Sequence, residues 1–106
     1  MAMLWKEKRA ITPLGQEVIL SREIWEDHIL VGHADMKDQE ATVLETLEQP
    51  DFIAFNPKYR TYNAVTENIL VAYAMISSTQ GLVKTSMKIT KNYKTRLRKY
   101  VVWTPS

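Results

Sequence analysis

No cysteine occurs among the 106 residues of this chain, which removes disulfide scaffolds, thiolate metal sites and cysteine nucleophiles together. Its absence fits a reducing cytoplasm. Glycine stands only at Gly15, Gly32 and Gly81, too sparse for a phosphate-cradling loop or a nucleophile elbow. No metal-ligand spacing is present, so neither a metal nor a cofactor is expected. No apolar run approaches the ~20 residues that span a bilayer, and Met1 to Ala10 lacks the apolar core of a signal peptide. A cytoplasmic protein without a membrane partner is the expectation. Acid is also missing from one part of the chain: all 12 acidic residues lie at or before Glu67, and only bases follow, Lys84, Lys88, Lys91, Lys94, Arg96, Arg98 and Lys99.

What is present is the composition of an ordinary globular protein, 45% hydrophobic and 25% charged, of a length that makes a single domain, residues 1–106. The modest net charge of +2 hides the asymmetry. An acidic first two-thirds and a basic last third favour a polyanion or an acidic partner on one side of the molecule. A solvated edge strand guarded by lysines produces the same pattern. Tyr93, Tyr100 and Trp103 are interleaved with the bases; such aromatics can stack on nucleotides, and they are equally good strand residues.

Residues 21–33 read as one amphipathic helix holding both histidines. Ser21 is a good N-cap, Leu20 and Trp25 have the spacing of a hydrophobic staple, and Gly32 is a natural stop. At about 100° per residue, Ile24, Trp25, His28, Ile29 and Val31 share a face, with His28 mid-stripe and His33 at the helix end. A second helix, capped by Asp35 or Asp38, carries Val43, Leu44 and Leu47 as its core face and stops at Pro50. Before these helices, Leu4 to Ile11 is an extended segment broken at Pro13-Leu14-Gly15, and Gln16 to Leu20 is a short strand. After them the period changes to two. Strands are expected at Phe52 to Phe55, Tyr59 to Val65, Ile69 to Ile76 and Leu82 to Ile89, with a last one at Tyr100 to Trp103. The unbroken apolar run from Ile69 to Ile76 marks a central strand buried on both faces. In Leu82 to Ile89, alternation sets Val83, Thr85, Met87 and Ile89 on one face and Lys84, Ser86 and Lys88 on the other. Short connections favour an antiparallel meander. The expected fold is α+β, with two N-terminal helices packed on one face of a four- to five-stranded antiparallel sheet and a basic, open second face.

One cofactor-free reaction suits this set of side chains: RNA cleavage by the ribose 2′-hydroxyl. It needs an acid and a base, roles for histidine, and cations to hold the phosphorane charge. On burial grounds His28 reads first as a structural residue of the apolar stripe. His33, at a helix end, is the more accessible, and equally a C-terminal residue favoured by the helix dipole.

Trp25-x-x-His28-Ile29, then His33, then Leu47-Glu48-Gln49-Pro50-Asp51-Phe52-Ile53, the run Ile69 to Ile76, Thr85-Ser86 and the closing Tyr100-Val101-Val102-Trp103 resemble the phage-type branch of the barnase–EndoU–colicin–RelE (BECR) ribonuclease-fold group. The resemblance spans about Gln16 to Trp103. It implies a helix pair on a four-stranded sheet and metal-independent RNA cleavage, often in toxins or mobile-element proteins. By position it sets the family's helical histidines on His28 and His33 and its strand hydroxyl on Thr85. Where that family tends to have His-Pro-Glu, this chain has His33-Ala34-Asp35. The proline that would stiffen the turn is gone, which bears on activity more than on fold. Thr85 also conflicts with the alternation: either Lys84 and Ser86 serve the site, or a bulge re-aims Thr85.

The leading expectation is therefore a toxin-like ribonuclease domain. His33 would be base or acid, and His28 would orient it or share the proton transfer. Arg60 and Lys84 would neutralise phosphate, with Thr85 or Ser86 bonding a phosphate oxygen. Lys88, Lys91, Lys94, Arg96, Arg98 and Tyr93 would hold the RNA. A harmful nuclease would also require an acidic neutralising, antitoxin-like partner protein. The rival expectation is a non-catalytic module that holds nucleic acid or an acidic protein on the same fold. A third is a structural subunit whose Trp5 and Trp103 mark an oligomer interface.

Overall fold

A computed structural model describes residues 7–105; Trp5 and the start of the expected Leu4–Ile11 segment lie outside them. Strands β1 (Lys8–Ile11) and β2 (Glu17–Leu20) come first. A helical stretch over residues 22–32, here α1, and helix α2 (Glu40–Glu48) follow. Next are β3 (Phe52–Asn56), β4 (Thr61–Val65), β5 (Ile69–Met75) and β6 (Gln80–Lys88). Helix α3 (Lys91–Leu97) and β7 (Val101–Trp103) close the chain. The protein is α+β, but its sheet has seven strands in the order β1-β2-β6-β5-β4-β3-β7.

Three parts of the expected architecture change. The sheet is larger than four or five strands, because both end segments pair as edge strands. It is mixed, since β2 runs parallel to β6 through Glu17–Gln80, Val18–Gly81 and Ile19–Leu82. The helices are not N-terminal, since the β1–β2 hairpin precedes α1 and α3 lies after β6. That hairpin turns at Gly15, whose φ of 79° suits a residue without a side chain.

Strand alternation sorts the core into two layers. Ile53, Ala64, Ile69, Val71, Tyr73 and Val83 share the first face, where Trp25, Ile29, Met36, Val43 and Leu47 cover them. Phe52, Ala54, Val65, Leu70 and Ala72 share the second, where Tyr93 and Leu97 of α3 pack with Met87, Ile89 and Val101. β5 is the middle strand of the order, and Ile69 to Tyr73 are all buried, as its apolar run requires. On the first face a polar knot ties the hairpin to the centre. The Tyr73 hydroxyl donates to Gln16 Oε1 at 2.7 Å, and Thr12 Oγ1 donates to the same oxygen at 2.9 Å. Burial raises the Tyr73 phenol above its ordinary titration range.

In α1 the Ser21 hydroxyl accepts from the Ile24 amide at 3.2 Å, a capping bond. From Ile24 to Ile29 the helix widens to π geometry, with the Leu30 amide reaching the Trp25 carbonyl five residues back. The widened turn cancels the 100° spacing that put His28 on the apolar stripe. Trp25 and Ile29 are buried, while His28 and Val31 are exposed. Gly32 is not left-handed; the helix ends at His33, with φ −140° and ψ 69°. Neither Asp35 nor Asp38 caps α2. Gln39 occupies that position, Asp35 belongs to a short 3-10 turn and Asp38 is left-handed.

Candidate nucleic-acid interface

Lys91, Lys94 and Arg96 stand on α3, a helix absent from the elements expected above, and Arg98 and Lys99 come directly after it. Thr90 starts it, its hydroxyl accepting from the Tyr93 amide at 3.2 Å. Tyr93 and Leu97, four residues apart, turn the helix's apolar side to the sheet. The cations of the other positions are left outside. Arg96 and Lys91 are exposed, and Arg96 lies 5.5 Å from the centre of the Tyr93 ring. The Arg98 guanidinium lies 4.8 Å from the Phe52 ring centre, which holds it in place. Lys99 lies beside Tyr100, a ring that is half exposed. Lys94 is different: its ammonium is paired to Asp51 at 2.7 Å, with 14% of the side chain exposed. Lys88 is exposed at the end of β6. Tyr93 is half-buried against the sheet, so its ring is a packing group with one side covered.

Between α3 and the turn from β4 to β5 is a cleft of ≈ 250 Å³ lined by Glu67, Lys91, Lys94, Thr95 and Arg98. Glu67, Thr95 and Asp51 were not among the expected site residues. Thr90 as a cap followed by Tyr93 and Leu97 was the legible signal for the helix; nothing local in the sequence places Glu67 opposite it.

The residues expected to form a catalytic centre are distributed differently. His33 is half-buried at the hinge between α1 and the 3-10 turn Ala34–Met36. Its amide donates to the Ile29 carbonyl at 2.7 Å and its carbonyl accepts from the Met36 amide at 2.9 Å. His28 is exposed on the same helical layer. Among the described residues, neither imidazole has a hydrogen-bonding side-chain partner. Strand β6 carries a bulge: Thr85 pairs with Ala72 and Val83 with Tyr73, so Lys84 is the extra residue. The bulge breaks the single alternation expected for Leu82 to Ile89. Val83 stays on the helical face, and Thr85 moves to the α3 face with Met87. Ser86 is fully buried on the helical face and its hydroxyl donates to the Leu70 carbonyl at 2.9 Å, which occupies it inside the core. Lys84 is exposed. Arg60 is exposed with φ 52° in the turn between β3 and β4, at the end of the sheet away from α3. The histidines and the α3 bases thus lie on opposite sides of one sheet, with Thr85 on the bases' side and Ser86 sealed beneath the helices.

Among the described residues no group of three or more acidic or imidazole side chains is placed to hold a metal ion. No helix among them is long and apolar enough to cross a membrane. No protein-family model, no curated protein and no solved structure matches this chain.

Proposed function

We propose that the protein is a nucleic-acid-binding module that holds a single strand on its α3 face without cleaving it. The observation that carries this reading is the separation of parts: Lys91, Arg96 and Arg98 share α3 and its end, and both histidines lie across the sheet from them. Cations on one surface supply sequence-independent attraction to phosphates, through release of the strand's counterions. The half-exposed Tyr100 ring, beside Lys99, offers a base a stacking surface.

A fluorescence-anisotropy titration with single-stranded RNA at two salt concentrations tests this. Wild type binds with a steep inverse salt dependence. Lys91→Glu with Arg98→Glu weakens binding about tenfold or more, and the salt slope falls by about 0.7 for each phosphate no longer neutralised. His33→Ala binds like wild type, and the RNA stays intact in EDTA. RNA that is not retained, or binding indifferent to salt, sinks the proposal.

A second reading, ribonuclease activity, is favoured by one feature. Both the π segment of α1 and the 3-10 turn, which flank His33, pack on β6, where the bulge exposes Lys84. In that case His33 exchanges protons with the ribose and leaving oxygens while Lys84 neutralises the phosphate. Cleavage that persists in EDTA and disappears in His33→Ala would establish it in place of the binding module.

A further inference from the structure

We infer that the cleft beside α3 is a sugar–phosphate subsite that selects RNA over DNA, with Lys91 and Arg98 on the phosphate and Glu67 accepting a hydrogen bond from the ribose 2′-hydroxyl. The inference rests on the binding reading above and names its substrate class.

Three cations and one carboxylate line the same cleft. Of these, only Lys94 is committed, to Asp51 outside the cleft's lining. Lys91, Arg98 and Glu67 have no salt-bridge partner among the described residues. No cation of the cleft is within ion-pair distance of Glu67, so a ligand carrying both an anion and a hydroxyl donor can meet both kinds of group. Arg98 is held over Phe52, so little of its freedom is lost on binding. The Thr95 hydroxyl spends its proton on the Lys91 carbonyl at 3.0 Å and keeps its lone pairs for a donor. Size narrows the ligand further. At ≈ 250 Å³ the cleft falls below the ~300–1,000 Å³ of sites for whole cofactors or drug-sized ligands, and suits one sugar–phosphate unit of a strand. A carboxylate beside a polyanion is a liability unless it receives a hydrogen bond. The 2′-hydroxyl is the donor that RNA has along every unit and DNA lacks.

The test compares single-stranded RNA, DNA and 2′-O-methyl RNA of one sequence, by anisotropy, with wild type and Glu67→Ala. Glu67 is exposed in a turn, and circular dichroism verifies that the variant is folded. Wild type should bind RNA about tenfold more tightly than either other strand, the scale of one hydrogen bond to a charged group. The methylated strand keeps the ribose's preferred shape without the donor, so it should group with DNA. Glu67→Ala should bring the three affinities together, chiefly by raising that for DNA as the repulsion goes. Equal wild-type affinities, or a preference that survives Glu67→Ala, overturn the inference and leave general strand binding standing. Failure to bind any of the three overturns both.

Discussion

On the helical side of the sheet, Ile29, Met36, Val43 and Leu47 are sealed over Val71 and Tyr73, and a buried polar knot locks the hairpin to that layer. On the other side a helix of seven residues covers Phe52, Val65 and Leu70 with only Tyr93 and Leu97. Its remaining positions are polar, and Lys91, Asn92, Thr95 and Arg96 are exposed to water. Both layers are made by the same strands, and the difference is in what is left over for a ligand. The first spends its buried side chains on packing and on internal hydrogen bonds, including the hydroxyl of Ser86, and its two imidazoles have no hydrogen-bonding side-chain partner among the described residues. The second leaves Lys91, Arg96, Arg98 and Glu67 without ion-pair partners among the described residues. Under the proposed binding function, stability and recognition would be divided between the two sides.

Truncating one leucine on each side is the strongest way to break that comparison. Leu47→Ala empties a fully buried site and should cost about 2–5 kcal/mol in chemical denaturation. Leu97→Ala, half-buried, should cost about 1 kcal/mol while weakening strand binding by loosening α3. Equal costs, or binding abolished only by Leu47→Ala, would show that the division is false.

A smaller effect comes from the polar knot. Tyr73→Phe removes the bond to Gln16 and should cost about 1 kcal/mol near neutral pH. Burial raises the folded-state phenol above its ordinary 10.0, so the folded protein keeps a proton that the unfolded chain releases. That contribution is complete below pH 10 and drains away as pH rises further. Denaturation followed through the alkaline range should therefore show wild type losing stability more steeply than Tyr73→Phe, with strand binding at pH 7 equal in the two. Parallel alkaline curves would remove Tyr73 from the knot's energetics.

The smallest effect is expected at Arg60. Its left-handed backbone strains a residue with a Cβ, and glycine would relieve this while adding freedom to the unfolded chain. Arg60→Gly should change stability by less than about 1 kcal/mol and leave RNA affinity unaltered, since the turn lies away from α3. A clear loss of affinity would extend the binding surface around the sheet's end.

Much of the architecture is legible in the residues because it follows from local patterns. The run Ile69 to Ile76 marks the middle strand, Val43 and Leu47 the core side of α2, and Ser21 the start of α1, since burial and capping depend on neighbours in sequence. The position of His28 is not legible and that of Thr85 stays open between regular alternation and a bulge, because each depends on one irregularity. A π turn rotates the first out to solvent and a bulge at Lys84 moves the second through the sheet. Both shift the phase of a periodic pattern, and neither has a residue that announces it. Glu67 in the cleft was hidden for a different reason: it meets α3 only because the chain after β6 folds back past the β4–β5 turn, where the Ile89 amide bonds the Asn68 carbonyl at 2.8 Å.

By itself, the sequence determined that the chain would be α+β, with a fully apolar middle strand and a last third bearing cations alone. Hydrophobic periodicity and charge count are properties of neighbours, and folding preserves them. Tertiary structure alone decided that the sheet would have seven strands, one parallel pairing and helices on both sides. It also decided that the histidines and the bases of α3 would be separated by the thickness of that sheet, because strand order and face depend on pairings between residues far apart in the chain.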